Sequence, residues 1–180
     1  MIIFKNTENR FGIIAIVLHW IMAILMIGLT ALGLYMVRVP ISLHKLQYYG
    51  WHKEWGILVL MLVIVRFTWR LRNQIPALDG LEKWESLAAH AVHWAFYFFM
   101  FALPITGWLI TSSADLPVSF FGFFTLPNLV SASEANRVLF STIHEWLGYA
   151  LIATFCMHSL AALKHHFINK DKIMRRMLWP

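Results

Sequence analysis

The sequence predicts an all-α membrane protein, a four-transmembrane-helix bundle that forms a single membrane domain with both termini cytoplasmic. Composition is the first indication, because 59% of the 180 residues are hydrophobic and only 13% are charged. Soluble domains usually contain about 45–50% apolar and about 25% charged residues. A core of this size cannot hide the apolar excess, so an ordinary soluble domain and a disordered chain are both excluded. Long uncharged stretches and an uneven distribution of basic residues are the other two indications.

Four helices account for the apolar sequence, and their predicted bounds are 12–37, 51–70, 86–111 and 142–166. Stretches without a charged residue, at 11–37, 86–114 and 146–163, form most or all of three of them. Each stretch reaches the roughly 18 residues that a helix needs to cross a bilayer core. The second helix carries Lys53 and Glu54 near one end and Arg66 near the other, where long side chains extend to the headgroups. The long outer loop, 112–140, is rich in aromatic residues, and we expect it to lie in the interface or to fold back over the bundle.

The basic residues indicate how the helices are oriented. Eleven of the fifteen Lys and Arg residues lie in the N-terminal segment, the second loop and the C-terminal tail. The four on the opposite side are Arg38, Lys45, Lys53 and Arg137. Cytoplasmic loops carry an excess of Lys and Arg, so both termini are predicted to be cytoplasmic. The basic residues form no stripe with interleaved aromatic residues, which argues against nucleic acid and leaves the lipid bilayer as the expected partner.

Histidine is the plentiful metal ligand of this chain. The single cysteine, Cys156, excludes a disulfide framework and any multi-cysteine metal site, whereas there are nine histidines. His144 and His158 are 14 residues apart, so on one helix they lie within about 40° of each other and about 21 Å apart in depth. By depth in the predicted spans, His52 matches His144 near the outer side and His19 matches His158 near the inner side.

These matched depths predict two histidine pairs. Two neutral imidazoles from facing helices are the usual way to hold a haem iron in a helical bundle. A zinc site normally gathers three or four ligands at one depth, and the remaining alternative is that the histidines only pack or lie at the headgroups. We therefore predict two haems, with His19 and His158 binding the inner iron and His52 and His144 binding the outer iron.

Several short motifs carry a resemblance to a known family. They are Leu-His-Trp (18–20), Gly-Trp-His-Lys-Glu-Trp-Gly (50–56), Ala-His-Ala-Val-His (89–93), Ala-Leu-Pro-Ile-Thr-Gly-Trp (102–108) and Cys-Met-His-Ser-Leu-Ala-Ala-Leu-Lys-His-His-Phe (156–167). With them the sequence resembles the bacterial cytochrome b561 family, which are four-helix di-haem cytochromes of the inner membrane. The resemblance implies two b-type haems bound by the same four ligands, His19, His52, His144 and His158.

Haem iron with two histidine ligands has no open coordination position, so it transfers electrons rather than activating dioxygen. We expect exchange of electrons with the membrane quinone pool, through ubiquinone or another quinone. The resemblance also implies oxidation of superoxide at the outer face, where Arg137 and Lys53 are candidates to attract the anion. One alternative is a cytochrome b subunit that relays electrons from a partner dehydrogenase or hydrogenase. The other is a haem-free transporter of protons or a metal ion, which paired broken helices would favour and which the sequence does not indicate.

Three further residues are candidates for cofactor contacts. His90 and His93 are three residues apart and share a face of the third helix. They are candidates for a haem-propionate partner, a quinone hydrogen-bond donor or part of a proton path, and the alternative is a polar helix end. Arg66 is a candidate propionate partner, unless its side chain extends to the headgroups.

Overall fold

The computed structural model describes residues 3–77 and 81–178. Their order is α1 (Ile13–Met36), α2 (Leu43–Arg72), α3 (Lys83–Ser113), β1 (Val118–Phe120), β2 (Phe124–Leu126) and α4 (Glu134–Lys164), followed by a π-helical turn (His165–Asn169) and a 3₁₀ turn (Arg175–Met177). The predicted bundle of four long helices is therefore confirmed. We call the end of the bundle that carries residues 3–12 the inner end, and the opposite end the outer end.

Two helices begin earlier than the sequence predicts. α2 begins at Leu43 rather than near residue 51, and α4 begins at Glu134 rather than near residue 142. Each start follows a serine whose side chain accepts a hydrogen bond from a backbone N–H in the first turn, Ser42 from Lys45 and Ser133 from Asn136. These serine caps lie outside the apolar stretches, so hydropathy alone does not find them.

Within the described residues, three helical segments are long and apolar enough to cross a membrane: Ile13–Met36, Lys83–Ser113 and Glu134–Asn169. α2 has the length but carries more charge, which lowers its hydropathy. It packs between α1 and α3, and α3 packs against α4. Side chains on the outside of the bundle are apolar and exposed, such as Ile24 and Leu160, which are 67% and 66% exposed. Such exposure suits contact with lipid rather than water.

A cluster of apolar side chains holds the first three helices together. It consists of Met22 on α1, Val59 and Val63 on α2, and Tyr97 and Met100 on α3. All five are nearly inaccessible, and Val63 is completely buried. The cluster lies between the two depths at which the histidines occur, so it fixes the spacing of the helices there.

The outer loop folds back over the end of the bundle, which is one of the two alternatives predicted for it. It contains the β1–β2 hairpin, an element that the all-α prediction lacks. The turn of the hairpin has positive φ at Phe121 and Gly122, and the Phe121 ring packs edge-on against Trp55 of α2. The Trp108 indole donates to the Pro127 carbonyl at 3.0 Å, which joins the loop to α3.

At the inner end, the chain segments outside the helices are tied to one another. The Trp20 indole donates to the Met177 carbonyl at 2.7 Å, and the Arg176 guanidinium donates to the Ala77 carbonyl at 2.6 Å. His165 is buried and paired with Asp171. The C-terminal tail therefore folds back against α1 instead of leaving the bundle.

Candidate functional site

The structure brings together both histidine pairs that the sequence predicts. At the outer end, the ring centres of His52 on α2 and His144 on α4 are 6.1 Å apart. At the inner end, the ring centres of His19 on α1 and His158 on α4 are 6.3 Å apart. α4 therefore contributes one histidine at each depth, and two different helices supply their partners. We call these the outer pair and the inner pair.

These separations are compatible with two imidazoles that bind one metal ion. A histidine nitrogen binds a metal at about 2.0–2.1 Å, and the ring centre lies roughly 1.1 Å beyond that nitrogen. Two histidines on opposite sides of one ion therefore have ring centres about 6.2–6.4 Å apart, close to the observed 6.1 and 6.3 Å. Direct packing of two rings does not require this distance, since aromatic centroids meet anywhere within about 4.5–7 Å. In the described part of the chain, no three His, Cys, Asp or Glu side chains form a metal cluster, which leaves two-ligand sites.

Glycines leave room beside both rings of the outer pair. A Cβ added at Gly33 of α1 would lie 3.2 Å from Cε1 of His52, and one at Gly107 of α3 would lie 3.5 Å from Cε1 of His144. Both backbones therefore approach an imidazole closely, as expected where a flat group must fit between helices. The Leu29 carbonyl faces His52, but no described atom forms a hydrogen bond with its buried Nδ1.

Polar and charged side chains surround the inner pair. Nη2 of Arg66 is 3.2 Å from Nδ1 of His19, and the ring of His93 has its centre 6.0 Å from that of His158. The guanidinium group has no acceptor atom and keeps its proton, so it donates and Nδ1 of His19 accepts. In this arrangement the His19 proton is on Nε2. Binding of a metal through Nε2 would therefore require the guanidinium to leave Nδ1, so that the ring proton can move from Nε2 to Nδ1.

Comparison with known proteins identifies the family. The sequence profile of prokaryotic cytochrome b561 matches residues 10–180. Cytochrome b561 homolog 2 of Escherichia coli (strain K12) is 38% identical over 97% of this chain and 94% of its own length. The chain belongs to the prokaryotic cytochrome b561 family. This makes it a bacterial membrane protein of electron transfer, and membership implies that it binds b-type haem.

Two further proteins are similar to this member of the cytochrome b561 family. Cytochrome b561 homolog 1 of Escherichia coli (strain K12) is 34% identical over 94% of this chain and 97% of its own length. A protein of Yersinia pestis that is named as a probable superoxide oxidase, CybB, is 31% identical over 71% of this chain and 72% of its own length. The likeness therefore extends through all four helices in the first two relatives.

The residues present in this cytochrome b561 family member fit the haem that the family implies. Each pair supplies two imidazoles at the required separation, glycines leave space beside the outer pair, and Nδ1 of His52 lacks a hydrogen-bond partner among the described atoms. A cation, Arg66, lies beside the inner pair, and it suits a cofactor that carries carboxylate groups, as haem does. These observations come from the structure and do not depend on the relatives.

The four other predicted site residues occupy different surroundings. His93 lies at the inner pair, whereas His90 is exposed and its ring donates from Nδ1 to the Ser86 carbonyl at 2.7 Å, as a histidine at a helix end does. Arg137 forms an ion pair with Glu134 of the same helix, with a 2.7 Å hydrogen bond from Nε. Lys53 is adjacent to His52, and within residues 3–77 and 81–178 it has no carboxylate within ion-pair distance.

Two glycines and one threonine contact the rings of the outer pair. The sequence indicates Gly33 and Gly107 as places where a neighbour or a macrocycle can approach closely, and the structure shows that the rings they meet are those of His52 and His144. The sequence does not indicate Thr106, whose hydroxyl oxygen is 2.9 Å from Nδ1 of His144. The only indication of these contacts in the sequence is the position of each residue along its helix, which places it at the depth of the outer histidines. The sequence predicts His90 and His93 together as candidates for cofactor contacts, but the structure places only His93 at the inner pair, whereas His90 is exposed.

Proposed function

We propose that this chain is a di-haem electron-transfer protein that connects the two faces of the bacterial inner membrane. His52 and His144 would hold the outer haem, and His19 and His158 the inner haem. The observation that carries the proposal is the agreement of both ring separations, at two depths of the same helix α4, with two imidazoles on one metal ion. Haem held in this way supplies a one-electron couple without an open coordination position.

The helices set the positions of the two sites. α4 contributes both His144 and His158, so their spacing is fixed by helix geometry at about 21 Å along the axis. The apolar cluster around Val63 lies between the two depths and excludes water from the interior. A dry, rigid interior keeps redox groups in place and limits their reorganisation when an electron moves.

We further propose that a quinone of the membrane accepts the electrons and that both termini are cytoplasmic. A lipid-soluble carrier suits a chain whose long helices are largely apolar and whose outward side chains are exposed to lipid. The orientation is supported by the eleven basic residues at the inner end. Reporter fusions test it, because a reporter active only in the cytoplasm should be active at either terminus and inactive when inserted after residue 40 or 131.

Haem content tests the central proposal. Purified protein should contain two haems per chain in a pyridine haemochrome assay, and its dithionite-reduced spectrum should have the sharp α band of low-spin haem b. His144→Ala and His158→Ala should each lose one haem, and they should lose different ones in a redox titration. His90→Ala is the matched control and should keep both haems. A wild-type protein without haem, or ligand variants that each keep two, would refute the proposal.

Superoxide is the electron donor that we favour at the outer face. One relative is named as a probable superoxide oxidase, and Lys53, which follows His52 in the sequence, has no carboxylate within ion-pair distance among the described residues. Arg137 is neutralised by Glu134, so we assign attraction of the anion mainly to Lys53. Superoxide generated enzymatically should reduce the haems of the purified protein, faster at low salt than at high salt. Reduction that requires a copurifying dehydrogenase or hydrogenase would instead favour a relay subunit.

A further inference from the structure

Each ring of the outer pair lies against two residues of the preceding helix, and in both cases these two residues are four positions apart. On α1, the Leu29 carbonyl faces His52, and Gly33 lies four residues later against the ring. On α3, the Leu103 carbonyl faces His144, and Gly107 lies four residues later against that ring. Each outer histidine is therefore packed against the same Leu-x-x-x-Gly spacing on the helix that precedes its own.

The two copies of this spacing differ at the residue before the glycine. α3 has Thr106 there, and its hydroxyl oxygen is 2.9 Å from Nδ1 of His144. α1 has Leu32 at the same place, which offers no polar atom, and Nδ1 of His52 has no hydrogen-bond partner among the described atoms. One ligand of the outer pair is thus hydrogen-bonded from behind, and the other is not.

The contacts of Thr106 decide which His144 nitrogen carries the proton. The hydroxyl oxygen is 2.8 Å from the Ala102 carbonyl oxygen and 2.9 Å from the Leu103 carbonyl oxygen. A threonine hydroxyl in a helix characteristically donates its one proton to a carbonyl of the preceding turn, and both carbonyls lie within reach here. With its proton placed in this way, the hydroxyl oxygen accepts from His144, and Nδ1 is the donor. Nε2 is left with its lone pair and is free to bind a metal ion.

We infer that Thr106 is a positioning residue that holds His144 as the Nδ1–H tautomer, aims Nε2 into the outer site and makes it the stronger electron donor of the two outer ligands. The inference rests on the proposed function, because it assigns Nε2 of His144 to haem iron. An acceptor behind a metal-bound histidine fixes the tautomer and raises the basicity of the ligand. A more basic ligand stabilises ferric over ferrous iron, so Thr106 should lower the midpoint potential of the outer haem.

Redox titration of purified Thr106→Val tests this inference. Valine keeps the shape and removes the acceptor, so the ferrous-to-ferric ratio of the outer haem at a fixed potential should rise roughly three- to tenfold, the effect of one typical hydrogen bond. Tenfold corresponds to about 59 mV for a one-electron couple. The inner haem should not change. Thr106→Ser keeps the hydroxyl and should restore the wild-type value.

The matched control is Thr111→Val, one turn further along α3. Thr111 is buried and its hydroxyl donates to the Gly107 carbonyl at 2.9 Å, so the control removes a similar internal hydrogen bond without touching a histidine. A complementary variant, Leu32→Thr, should give His52 the acceptor that it lacks and shift the outer potential in the opposite direction. It also provides a test if Thr106→Val does not fold.

Three results would overturn the inference. The first is a Thr106→Val protein whose outer haem titrates like that of Thr111→Val, and the second is an equal shift in Thr106→Ser and Thr106→Val. The third is Leu32→Thr without any shift. In all three cases a wild-type protein with two haems leaves the proposed function standing. A wild-type protein without haem would refute the proposed function itself, and the two failures are therefore distinguishable.

Discussion

The contact between Gly33 and His52 allows the outer site to be tested by a single methyl group. Gly33→Ala would place Cβ 3.2 Å from Cε1 of His52 and 3.7 Å from its Nδ1. Carbon atoms pack best at about 3.5–4.0 Å, so the ring must retreat by roughly 0.3 Å or more. Metal–ligand distances vary by only about 0.2 Å. The retreat therefore exceeds what the metal bond tolerates, and the ring must tilt or the helices must separate.

We expect Gly33→Ala to weaken binding of the outer haem roughly 10–100-fold, the usual effect of disturbing a group that orients a metal ligand. The assay is the rate at which haem passes from the purified protein to an excess of a haem-scavenging globin, with the remaining haem counted by pyridine haemochrome. Haem release should have two kinetic phases, one for each haem. The phase of the outer haem should accelerate, and the inner haem should dissociate at its wild-type rate.

Two other glycines provide the controls. Gly28→Ala has open space at Cβ, with no atom within 4 Å, and it gains the same helix propensity of about 0.5–1 kcal/mol. It should leave both phases unchanged. Gly107→Ala approaches Cε1 of His144 at 3.5 Å, an ordinary contact, and should have an intermediate or small effect. If Gly33→Ala and Gly28→Ala release haem at the same rates, the close approach of Gly33 to the His52 ring has no role in haem binding.

Further predictions concern the inner pair and the outer cations. The ring centre of His158 lies at similar distances from those of His19 and His93. His19→Ala should lose the inner haem and His93→Phe should keep it. The reverse result in a haem count would make His93 the ligand. Arg66→Met should lower the midpoint potential of the inner haem, because a cation nearby favours the less positive ferrous state; an unchanged potential in a redox titration would exclude Arg66 from the site. Lys53→Gln should slow reduction by superoxide severalfold and flatten its salt dependence, whereas Arg137→Gln should not; equal rates in stopped-flow measurements would contradict steering by Lys53.

The sequence was sufficient for the number of helices and for the depths of the four histidines, because hydropathy and helix rise determine both. It was not sufficient for the starts of α2 and α4, since the serine caps lie in polar sequence that hydropathy does not separate from a loop. The hairpin around Phe121 was also not predicted, because two three-residue strands carry too little pattern. The contacts of Thr106 and Gly33 depend on which faces of the helices meet, and a single helix does not specify its partner's rotation. His93 shows the same limit, because its distance to His158 depends on how α3 and α4 pack.

The two histidine layers differ in charge, and this difference implies a direction for electron transfer. The inner pair has Arg66 within 3.2 Å of His19, and Arg70 lies over the Trp94 and Tyr97 rings one turn further along α2. The rings of the outer pair instead contact glycines and one hydroxyl, and Lys53, the cation that follows His52 in the sequence, forms no hydrogen bond with either ring among the described residues. A fixed cation stabilises the reduced state of a neighbouring redox group, and burial in a low-dielectric interior strengthens the effect. In the proposed di-haem arrangement, the inner haem should therefore have the higher midpoint potential, and an electron that enters at the outer haem would move inward with a favourable free-energy change. A redox titration in which the inner haem is reduced first would agree with this expectation, and the reverse order would contradict it.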